Sequence, residues 1–402
     1  MTAKLPYNPR VIVAPGDAAL AEEIERFVGF GPPVGDWFIK LEGLAAGQGS
    51  ALAGEAGRHG GGALLSAARG DGLADALLRL PGDALEVFLQ VLAEGGIGAD
   101  LIGAIRATAL AWQRSAFTLR CRGRVLDVGT RTLLMGIVNV TPDSFSDGGR
   151  FYEPGAAVEQ GLRLAAEGAD IVDVGGESTR PGAEAVDAET ECRRVLPVIE
   201  GLAAQGALPI SIDTSKAVVA RRALDAGASI INDVTALRGD PEMAAVAAQS
   251  DVPLILMHMQ GTPRTMQQAP HYDDLMSEVV AHLRGAMAAA VDAGVDEEQL
   301  VVDPGLGFGK TLDHNLELLR RLGELRSLGR PILIGPSRKS FIGKVLGVPA
   351  DERVLGTAAA VAFAIARGAH IIRVHDVAQI SQVARMTDAM LGRGAAPTSP
   401  TS

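Results

Sequence analysis

The sequence contains little cysteine, few aromatic residues and no long apolar run. Its two cysteines, Cys121 and Cys192, are too few for a disulfide framework or a zinc site, which indicates a reducing compartment. No apolar run approaches the ~18 residues that indicate a membrane span, and the N-terminus lacks the apolar core of a signal peptide. We therefore expect a soluble, cytoplasmic protein with no membrane partner.

Charge is also sparse. Charged residues make up 21% of the chain and hydrophobic residues 47%, which is typical of a globular protein and excludes a disordered one. The formal net charge of −11 argues against general binding of nucleic acid or anionic membranes. It does not exclude an anionic substrate, because local cations and helix N-termini can hold phosphate.

The chain alternates regularly between apolar runs and helical patterns from about residue 130 onward. The apolar runs are 132–140, 171–176, 209–213, 229–233, 253–258, 299–304, 331–336 and 370–375. The helical patterns are 155–167, 187–204, 216–226, 242–249, 273–293, 313–326, 353–367 and 377–391. Eight strand–helix units predict an α/β protein with a (β/α)8 TIM barrel of ~250 residues, and a doubly wound sheet is the alternative.

Residues 1–115 are predicted to form a separate small α/β domain of unknown role. Its predicted strands are 10–14, 36–41, 62–66 and 75–80, and its predicted helices are 18–28, 43–58, 83–93 and 98–113. The barrel domain is expected over 116–393, where a hairpin at 117–127 precedes the first barrel strand and plugs the N-terminal mouth. The Pro-, Ser- and Thr-rich residues 394–402 are expected to be a disordered tail.

Every predicted barrel strand ends in or near a polar residue. These residues are Asn139, Asp173, Asp213, Asn232, His258, Asp303, Ser337 with Lys339, and Arg373 with His375. A single polar strand end is often structural, but this concentration at one rim predicts a ligand site, because barrel enzymes bind ligands at the carboxyl ends of the strands.

Two kinds of chemistry are present at this rim. Asp213, Asn232 and Asp303 offer carboxylate and amide groups that suit a flat amino-pyrimidinone heterocycle. Arg338, Lys339, Arg373 and His375 are expected to supply cations near the last two strands, where barrels often bind phosphate. A heterocycle that carries a phosphate group is therefore the ligand that the residues themselves predict.

Two loops are expected to complete the site. Residues 141–152 contain a Gly148–Gly149 hinge and the lid residues Asp143 and Phe145, and residues 177–183 place Arg180 on a proline-stiffened turn.

Two further motifs are rejected as functional signatures. Residues 305–311 end like a phosphate-binding P-loop, but Pro304 stands where that motif needs its first glycine. The sequence 257–259, Met-His-Met, is interpreted as strand-end packing and not as a metal site.

Several blocks together resemble the dihydropteroate synthase family over roughly residues 116–393. The blocks are NVTPDSFSDGG at 139–149, GGESTRPGA at 175–183, IDTSK at 212–216, INDV at 231–234, LMHMQGTPRTMQ at 256–267, DPGLGFGKT at 303–311, SRKSFIG at 337–343 and RVHD at 373–376. The resemblance implies a TIM barrel that joins 6-hydroxymethyl-7,8-dihydropterin pyrophosphate to p-aminobenzoate with Mg²⁺ and releases pyrophosphate. It also implies sulfonamide sensitivity and a homodimer.

The resemblance implies a role for each site residue. Asp213, Asn232, Asp303 and Lys339 would hold the pterin, with Met257 and Phe308 lining its pocket. Asn139, Arg373 and His375 would hold the pyrophosphate, with Asn139 also near Mg²⁺, and Thr179, Arg180, Pro181 and Ser340 would shape the p-aminobenzoate site. The residues expected to carry the chemistry are Asp213, Asp303, Lys339 and Arg373.

Two alternatives are weighed against this interpretation. A methyltetrahydrofolate-dependent corrinoid methyltransferase would share the Asp/Asn rim but would not use the pyrophosphate cluster or the 337–340 run. A barrel that has lost activity and serves as a scaffold would not need the complete set of strand-end residues. For residues 1–115 we expect a role in interaction or assembly, so that deletion changes stability or assembly and leaves turnover largely intact.

Overall fold

The computed structural model describes residues 7–12, 35–141, 154–178, 185–206 and 208–394. The chain forms two compact units. Unit 1 comprises residues 1–115, 274–285 and 320–329, and unit 2 comprises 116–273, 286–319 and 330–402. Two short segments from the barrel region of the sequence therefore group with the N-terminal residues. The predicted domain division stays a prediction.

Unit 1 contains an antiparallel sheet of four strands in the order β1-β2-β4-β3. The strands are β1 (Arg10–Val11), β2 (Trp37–Ala45), β3 (Gly62–Leu65) and β4 (Leu73–Leu80), and the helices are α1 (Ala46–Arg58), α2 (Leu85–Glu94) and α3 (Ala99–Gln113). The fully buried core residues between sheet and helices are aliphatic apart from Phe88, and Tyr7, Trp37 and Trp112 pack against them.

The sequence prediction for unit 1 needs one correction. Residues 43–45 were predicted as the start of a helix, but they extend β2, and Leu44 and Ala45 pair with Ala74 and Leu73 of β4. Sheet pairing outweighs the weak local helix propensity here. The predicted helix 18–28 lies outside the described residues.

Unit 2 contains a hairpin and a barrel. The hairpin is β5 (Phe117–Arg120) and β6 (Val125–Val128); the barrel strands are β7 (Leu133–Asn139), β8 (Ile171–Gly175), β9 (Ile210–Asp213), β10 (Ile230–Asp233), β11 (Leu254–Met257), β12 (Leu300–Asp303), β13 (Leu333–Ile334) and β14 (Ile371–Val374). The eight barrel strands are parallel in the order β12-β11-β10-β9-β8-β7-β14-β13, and a bridge between Val302 and Ile332 joins the two ends. The TIM-barrel prediction is confirmed.

Helices alternate with these strands along the chain, as predicted. They are α4 (Pro154–Ala166), α5 (Ala188–Gln205), α6 (Ala217–Asp225), α7 (Met243–Ser250), α8 (Leu275–Asp292), α9 (Leu312–Arg320), α10 (Ser340–Leu346), α11 (Val354–Ala366) and α12 (Val377–Met390), with short 3₁₀ turns at Glu297–Gln299, Leu322–Leu328 and Ala350–Glu352. Among the described residues, no helix combines the length and the apolar character needed to cross a membrane.

Two element predictions in this region were wrong in extent, and one helix was missed. The predicted helix 313–326 ends at Arg320 and continues as a 3₁₀ turn that contains Gly323, a poor helix former. The predicted strand 331–336 is reduced to Leu333–Ile334 because prolines at 331 and 336 cannot donate ladder hydrogen bonds. Helix α10 was not predicted.

The hairpin plugs the N-terminal end of the barrel, as predicted. Phe117, Leu119 and Cys121 pack against the first residues of the barrel strands, including Leu133 and Ile171, in one buried apolar cluster. Because this end of the barrel is filled by apolar side chains, the polar residues at the other strand ends define the functional rim.

Candidate active site

The strand register brings the predicted polar residues to one rim. Asn139 pairs with Gly175, which pairs with Asp213, which in turn pairs with Asn232. Asp303 pairs with Met257 at the ends of β12 and β11. Since all of these strands are parallel, their last residues lie at the same end of the barrel.

Arg373 on β14 is the centre of a buried charge network at this rim. Its Nε donates to Asp173 Oδ2 at 2.6 Å and its Nη2 donates to Asp213 Oδ2 at 2.7 Å. Asn232 Nδ2 donates to Asp173 Oδ2 at 3.2 Å. Burial raises the pKa of Asp213 above its usual range, and Arg373 opposes that rise. The network joins Asp173, Asp213, Asn232 and Arg373 in one hydrogen-bonded group at the rim.

Asp303 is a second buried carboxyl at this rim. The Asp303 Oδ1 accepts a hydrogen bond from Gly305 N at 2.7 Å, and Asp303 is 6% exposed. Burial raises the pKa of Asp303 to about 6, although the Gly305 hydrogen bond and the nearby Lys339 and Arg373 cations oppose the rise. Asp303 is therefore largely ionised at neutral pH and can accept N–H donors from a ligand.

Lys339 and Phe308 form a cation–π contact beside Asp303. The Lys339 Nζ lies 4.1 Å from the centre of the Phe308 ring. Burial and the Arg373 cation lower the pKa of Lys339 to about 8. Phe308 and Met257 belong to an apolar cluster with Val234, Met259 and Met266, so the site has one apolar wall suited to a flat ring.

Asn139, Ser337 and His375 form a further polar group at the rim. Asn139 Nδ2 lies 3.4 Å from His375 Nε2, and Ser337 Oγ lies 3.0 Å from His375 Nδ1. Burial and the Arg373 cation lower the pKa of His375 to about 4. The expectation that His375 supplies a cation is therefore wrong for the ligand-free protein, where a neutral imidazole can only donate or accept hydrogen bonds.

Arg338 forms an ion pair in the ligand-free protein, and its role as a cation for the ligand stays a prediction. Its Nε donates to Asp376 Oδ2 at 3.0 Å, so its charge is compensated by a carboxylate at the end of β14. Ser340 is the first residue of α10 and is exposed. The predicted site residues Asp143, Phe145, Thr179, Arg180 and Pro181 lie outside the described residues.

The glycine-rich segment 305–311 is a tight loop and not a P-loop, in agreement with the sequence analysis. Gly305 and Gly309 have φ of +69° and +63°. A Cβ atom at these positions would lie 2.0 Å from the His258 carbonyl oxygen and 2.5 Å from the Gln260 carbonyl oxygen. Glycine is therefore required for the loop to approach the end of β11.

Two functional groupings were missed from the sequence. Asp173 was named as a polar strand end but was given no role, whereas it pairs with Arg373 and Asn232. Lys310 was dismissed together with the P-loop motif, yet its Nζ is buried 2.9 Å from His258 Nδ1. For Lys310, the signal in the sequence was a charged residue that directly follows the glycine-rich segment 305–309 after β12.

The described residues contain no group of three or more His, Cys, Asp or Glu side chains able to hold a metal ion. A divalent cation at this rim would therefore take most of its ligands from a bound anion and water. Mg²⁺ bound with substrate phosphates has this ligand set, and the Asn139 amide oxygen is a donor of the right type.

Comparisons with known proteins agree with this geometry. A family model described as pterin binding enzyme matches residues 135–375. The dihydropteroate synthase of Synechocystis sp. is 49% identical over 267 residues, which are 66% of this chain and 92% of that protein.

Solved structures give the same result. The Yersinia pestis dihydropteroate synthase in complex with a sulfonamide drug matches with a TM-score of 0.66 and 44% identity, over 69% of this chain and 100% of that one. The Xanthomonas albilineans enzyme in complex with 7,8-dihydropteroate matches with a TM-score of 0.62 and 47% identity over the same fractions. Both the sequence and the barrel with its polar rim place this chain in the dihydropteroate synthase family of pterin-binding enzymes.

Proposed function

We propose that this chain is a transferase that joins 6-hydroxymethyl-7,8-dihydropterin pyrophosphate to p-aminobenzoate, giving 7,8-dihydropteroate and pyrophosphate. The observation that carries the proposal is the convergence of Asp213, Asn232 and Asp303 on one rim beside the Phe308 ring and the Lys339 cation. The relatives reported above are synthases, and none of them supports the corrinoid methyltransferase alternative.

The pterin ring binds between the carboxylate rim and the apolar wall. Asp213 and Asp303 accept hydrogen bonds from its amino and ring N–H groups, and Asn232 both donates and accepts. Lys339 donates to the ring carbonyl or nitrogen acceptors, while Met257 and Phe308 pack on the flat faces. Because these polar groups are buried, a ligand lacking the matching donors would leave them unpaired, which gives selectivity.

The pyrophosphate group binds beside the pterin. Arg373 supplies the positive charge and Asn139 donates a hydrogen bond from its amide nitrogen, while the neutral His375 holds that amide in place beside Ser337. Asn139 would help to hold Mg²⁺, which would supply charge neutralisation that makes pyrophosphate a better leaving group. The Asn139 amide nitrogen faces His375, so the amide oxygen is the atom that a cation would use.

The reaction is a substitution at the pterin methylene carbon. The bond from this carbon to the pyrophosphate oxygen breaks, a bond to the aryl amine nitrogen forms, and that nitrogen loses a proton. Positive charge develops on the pterin as the leaving group departs, and the Asp213 and Asp303 carboxylates stabilise it. No strong general base is needed because the nitrogen becomes acidic once it has bonded to carbon.

The p-aminobenzoate site is proposed from the sequence. Thr179, Arg180, Pro181 and Ser340 are assigned to it, and Asp143 and Phe145 to a loop that covers the substrates. Arg180 is the natural partner for the p-aminobenzoate carboxylate because a guanidinium binds a carboxylate in bidentate geometry.

Pyrophosphate release tests the proposed function. The protein, supplied with the pterin pyrophosphate and Mg²⁺, should release pyrophosphate in an amount that depends on added p-aminobenzoate. Removal of Mg²⁺ with a chelator should reduce the rate, and excess Mg²⁺ should restore it. Absence of pyrophosphate release with both substrates and Mg²⁺ present would reject the synthase activity, and a rate unaffected by chelation would reject the Mg²⁺ requirement.

A homodimer is proposed from an exposed apolar face on two neighbouring helices. Leu355 and Phe363 on α11 are 80% and 39% exposed, and Met386 and Met390 on α12 are 61% and 66% exposed. Leu355 and Phe363 are eight positions apart and Met386 and Met390 are four apart, so each pair lies on one side of its helix. Helix α11 packs against α12. Large exposed apolar side chains on neighbouring helices are typical of a protein interface. A second copy of this chain is the proposed occupant.

Light scattering tests the dimer. The parent protein should have the mass of a dimer, and the double variant Met386→Glu with Met390→Glu should have that of a monomer. Leu110→Glu, which changes an isolated residue 62% exposed on α3, is the matched control and should stay dimeric. A monomeric parent would overturn this proposal.

A cytoplasmic location is proposed from the state of the thiols. Cys121 and Cys192 are free and buried. Burial raises the pKa of Cys121 to about 12, so this thiol is unreactive. Free structural thiols are typical of reducing compartments.

A further inference from the structure

The loop that carries Phe308 is fixed by hydrogen bonds to its backbone carbonyl oxygens. The donors are side chains of neighbouring segments and of the loop itself. Gln267 Nε2 donates to Gly307 O at 2.7 Å, Tyr272 Oη donates to Gly309 O at 2.8 Å, and Asn315 Nδ2 donates to Lys310 O at 3.3 Å. A loop whose successive carbonyls are bound in this way presents its side chains in a fixed orientation.

Lys310 supplies the corresponding contact for Phe308 itself. Its Nζ donates to Phe308 O at 3.1 Å and lies 2.9 Å from His258 Nδ1, directly after β11. The Lys310 residue is 3% exposed, so the ammonium group turns away from solvent and into the barrel rim. Burial lowers the pKa of Lys310 to about 7, and the nearby Asp303 carboxylate opposes this shift only in part.

The position of Phe308 matters because its ring contacts the Lys339 ammonium. The ring centre and Lys339 Nζ are 4.1 Å apart, and Phe308 also packs in the apolar cluster that contains Met257. A shift of the Phe308 backbone would therefore move both the apolar wall and the cation that face the pterin.

We propose that Lys310 is a positioning residue for the pterin pocket: its Nζ fixes the Phe308 carbonyl against His258 and thereby places the ring on which Lys339 rests. This inference rests on the proposed function, in which Phe308 and Lys339 contact the pterin. Two of the three N–H donors of Lys310 are used by protein acceptors, so the role assigned to it acts through Phe308 and not through substrate.

The first experiment compares the effect of one substitution on the Kd for the pterin substrate and on the KM for p-aminobenzoate. Lys310→Met keeps the apolar stem and removes the donor. We expect the Kd for the pterin pyrophosphate with Mg²⁺, measured by calorimetry, to rise about tenfold, as for loss of one buried hydrogen bond. The KM for p-aminobenzoate should change less than about twofold, whereas general destabilisation would affect both substrates. Lys344→Met, at an exposed lysine on α10, is the matched control.

The second experiment tests whether Lys310 acts through Phe308. In a Phe308→Ala background, Lys310→Met should change the pterin Kd less than about twofold, because the ring it positions is already absent. An equal factor in both backgrounds would overturn the proposal, as would a Lys310→Met protein with the parent's pterin Kd.

Two further controls keep the result interpretable. If Lys310→Met does not fold, as judged by circular dichroism, Lys310→Gln replaces it, since its shorter amide reaches the Phe308 carbonyl less well. The same direction of change is expected, and an unchanged pterin Kd overturns the inference. A parent protein that neither binds the pterin pyrophosphate nor releases pyrophosphate would reject the proposed function, and with it this inference. If the parent binds the pterin pyrophosphate and releases pyrophosphate, and Lys310→Met has the parental pterin Kd, only this inference is rejected.

Discussion

Arg373 and Asp213 are 160 positions apart in the sequence, and the Nη2 of one donates to the Oδ2 of the other over 2.7 Å. The pair connects β14, which carries the predicted pyrophosphate ligands, to β9, which carries a predicted pterin ligand. Because Arg373 also binds Asp173, one guanidinium orients two carboxylates at the rim. The two halves of the substrate are therefore expected to bind to groups that already contact each other.

Asp213→Asn should weaken pterin binding. The amide cannot accept two charge-assisted hydrogen bonds, and it no longer compensates Arg373, so we expect a loss of about 2–4 kcal/mol in binding free energy. Calorimetry with the pterin pyrophosphate measures it. Asp225→Asn, at an exposed aspartate ending α6, is the control and should bind like the parent. Parental affinity in Asp213→Asn would contradict the assignment.

Lys339→Ala should lose most activity and keep the fold. Lys339 is half-buried and its Nζ rests on the Phe308 ring, so alanine removes packing as well as charge. Lys339→Met separates the two, since it keeps the stem and removes the cation. Both variants should lose at least about a hundredfold in kcat/KM for the pterin substrate, because a positioned charge is lost. If Lys339→Met retains the parental rate, the charge has no role.

The pH dependence of kcat/KM for the pterin substrate should be bell-shaped. Activity should fall as pH drops towards and through about 6, because Asp213, whose pKa burial also raises, and Asp303 then become protonated and stop accepting hydrogen bonds. It should fall again as pH rises through about 8, because Lys339 then loses its charge. Lys339→Arg tests the alkaline limb: arginine stays charged, so any activity it retains should persist above pH 8. An unchanged alkaline limb in that variant would contradict the assignment to Lys339.

A sulfonamide should inhibit by competing with p-aminobenzoate. The sequence Arg180-Pro181-Gly182 carries no insertion that would exclude the drug while admitting the substrate. Steady-state inhibition at several p-aminobenzoate concentrations measures the competition. Inhibition that excess p-aminobenzoate cannot relieve, or no inhibition, would contradict the prediction.

Arg10→Met should lower the stability of unit 1 without changing pterin binding. Arg10 is 0% exposed and forms ion pairs with Glu42, Asp274 and Glu324, all within this unit. Removing one partner of a buried ion pair costs about 3–5 kcal/mol of unfolding free energy. Denaturant unfolding monitored by the tryptophans of unit 1 measures it.

Arg58→Met is the control for Arg10, because the Arg58 side chain is 72% exposed and its ion pair should contribute less than about 1 kcal/mol. The Arg10 contacts also sharpen the deletion prediction. Removing residues 1–115 takes Arg10 away from Asp274 and Glu324. We therefore expect the truncated protein to be less stable than the parent, while its turnover stays largely intact. A truncated protein as stable as the parent would contradict this expectation.

The sequence by itself determined the barrel and the identity of its rim residues. Apolar runs that end in Asn139, Asp213, Asn232 or Asp303 are local patterns, and the parallel order of the strands then requires their ends to meet. The plug at the other end was also predictable, because the hairpin with Phe117 and Leu119 directly precedes the first barrel strand.

Only the tertiary structure decided the electrostatic state of the site. Arg373 pairs with Asp173 and Asp213, His375 is neutral, and Lys310 turns inward to His258. Each of these outcomes depends on burial and on partners that lie far apart in the sequence. Burial and distant partners cannot be predicted from local composition. The same reason explains residues 43–45, where a distant strand outweighed the local preference for helix.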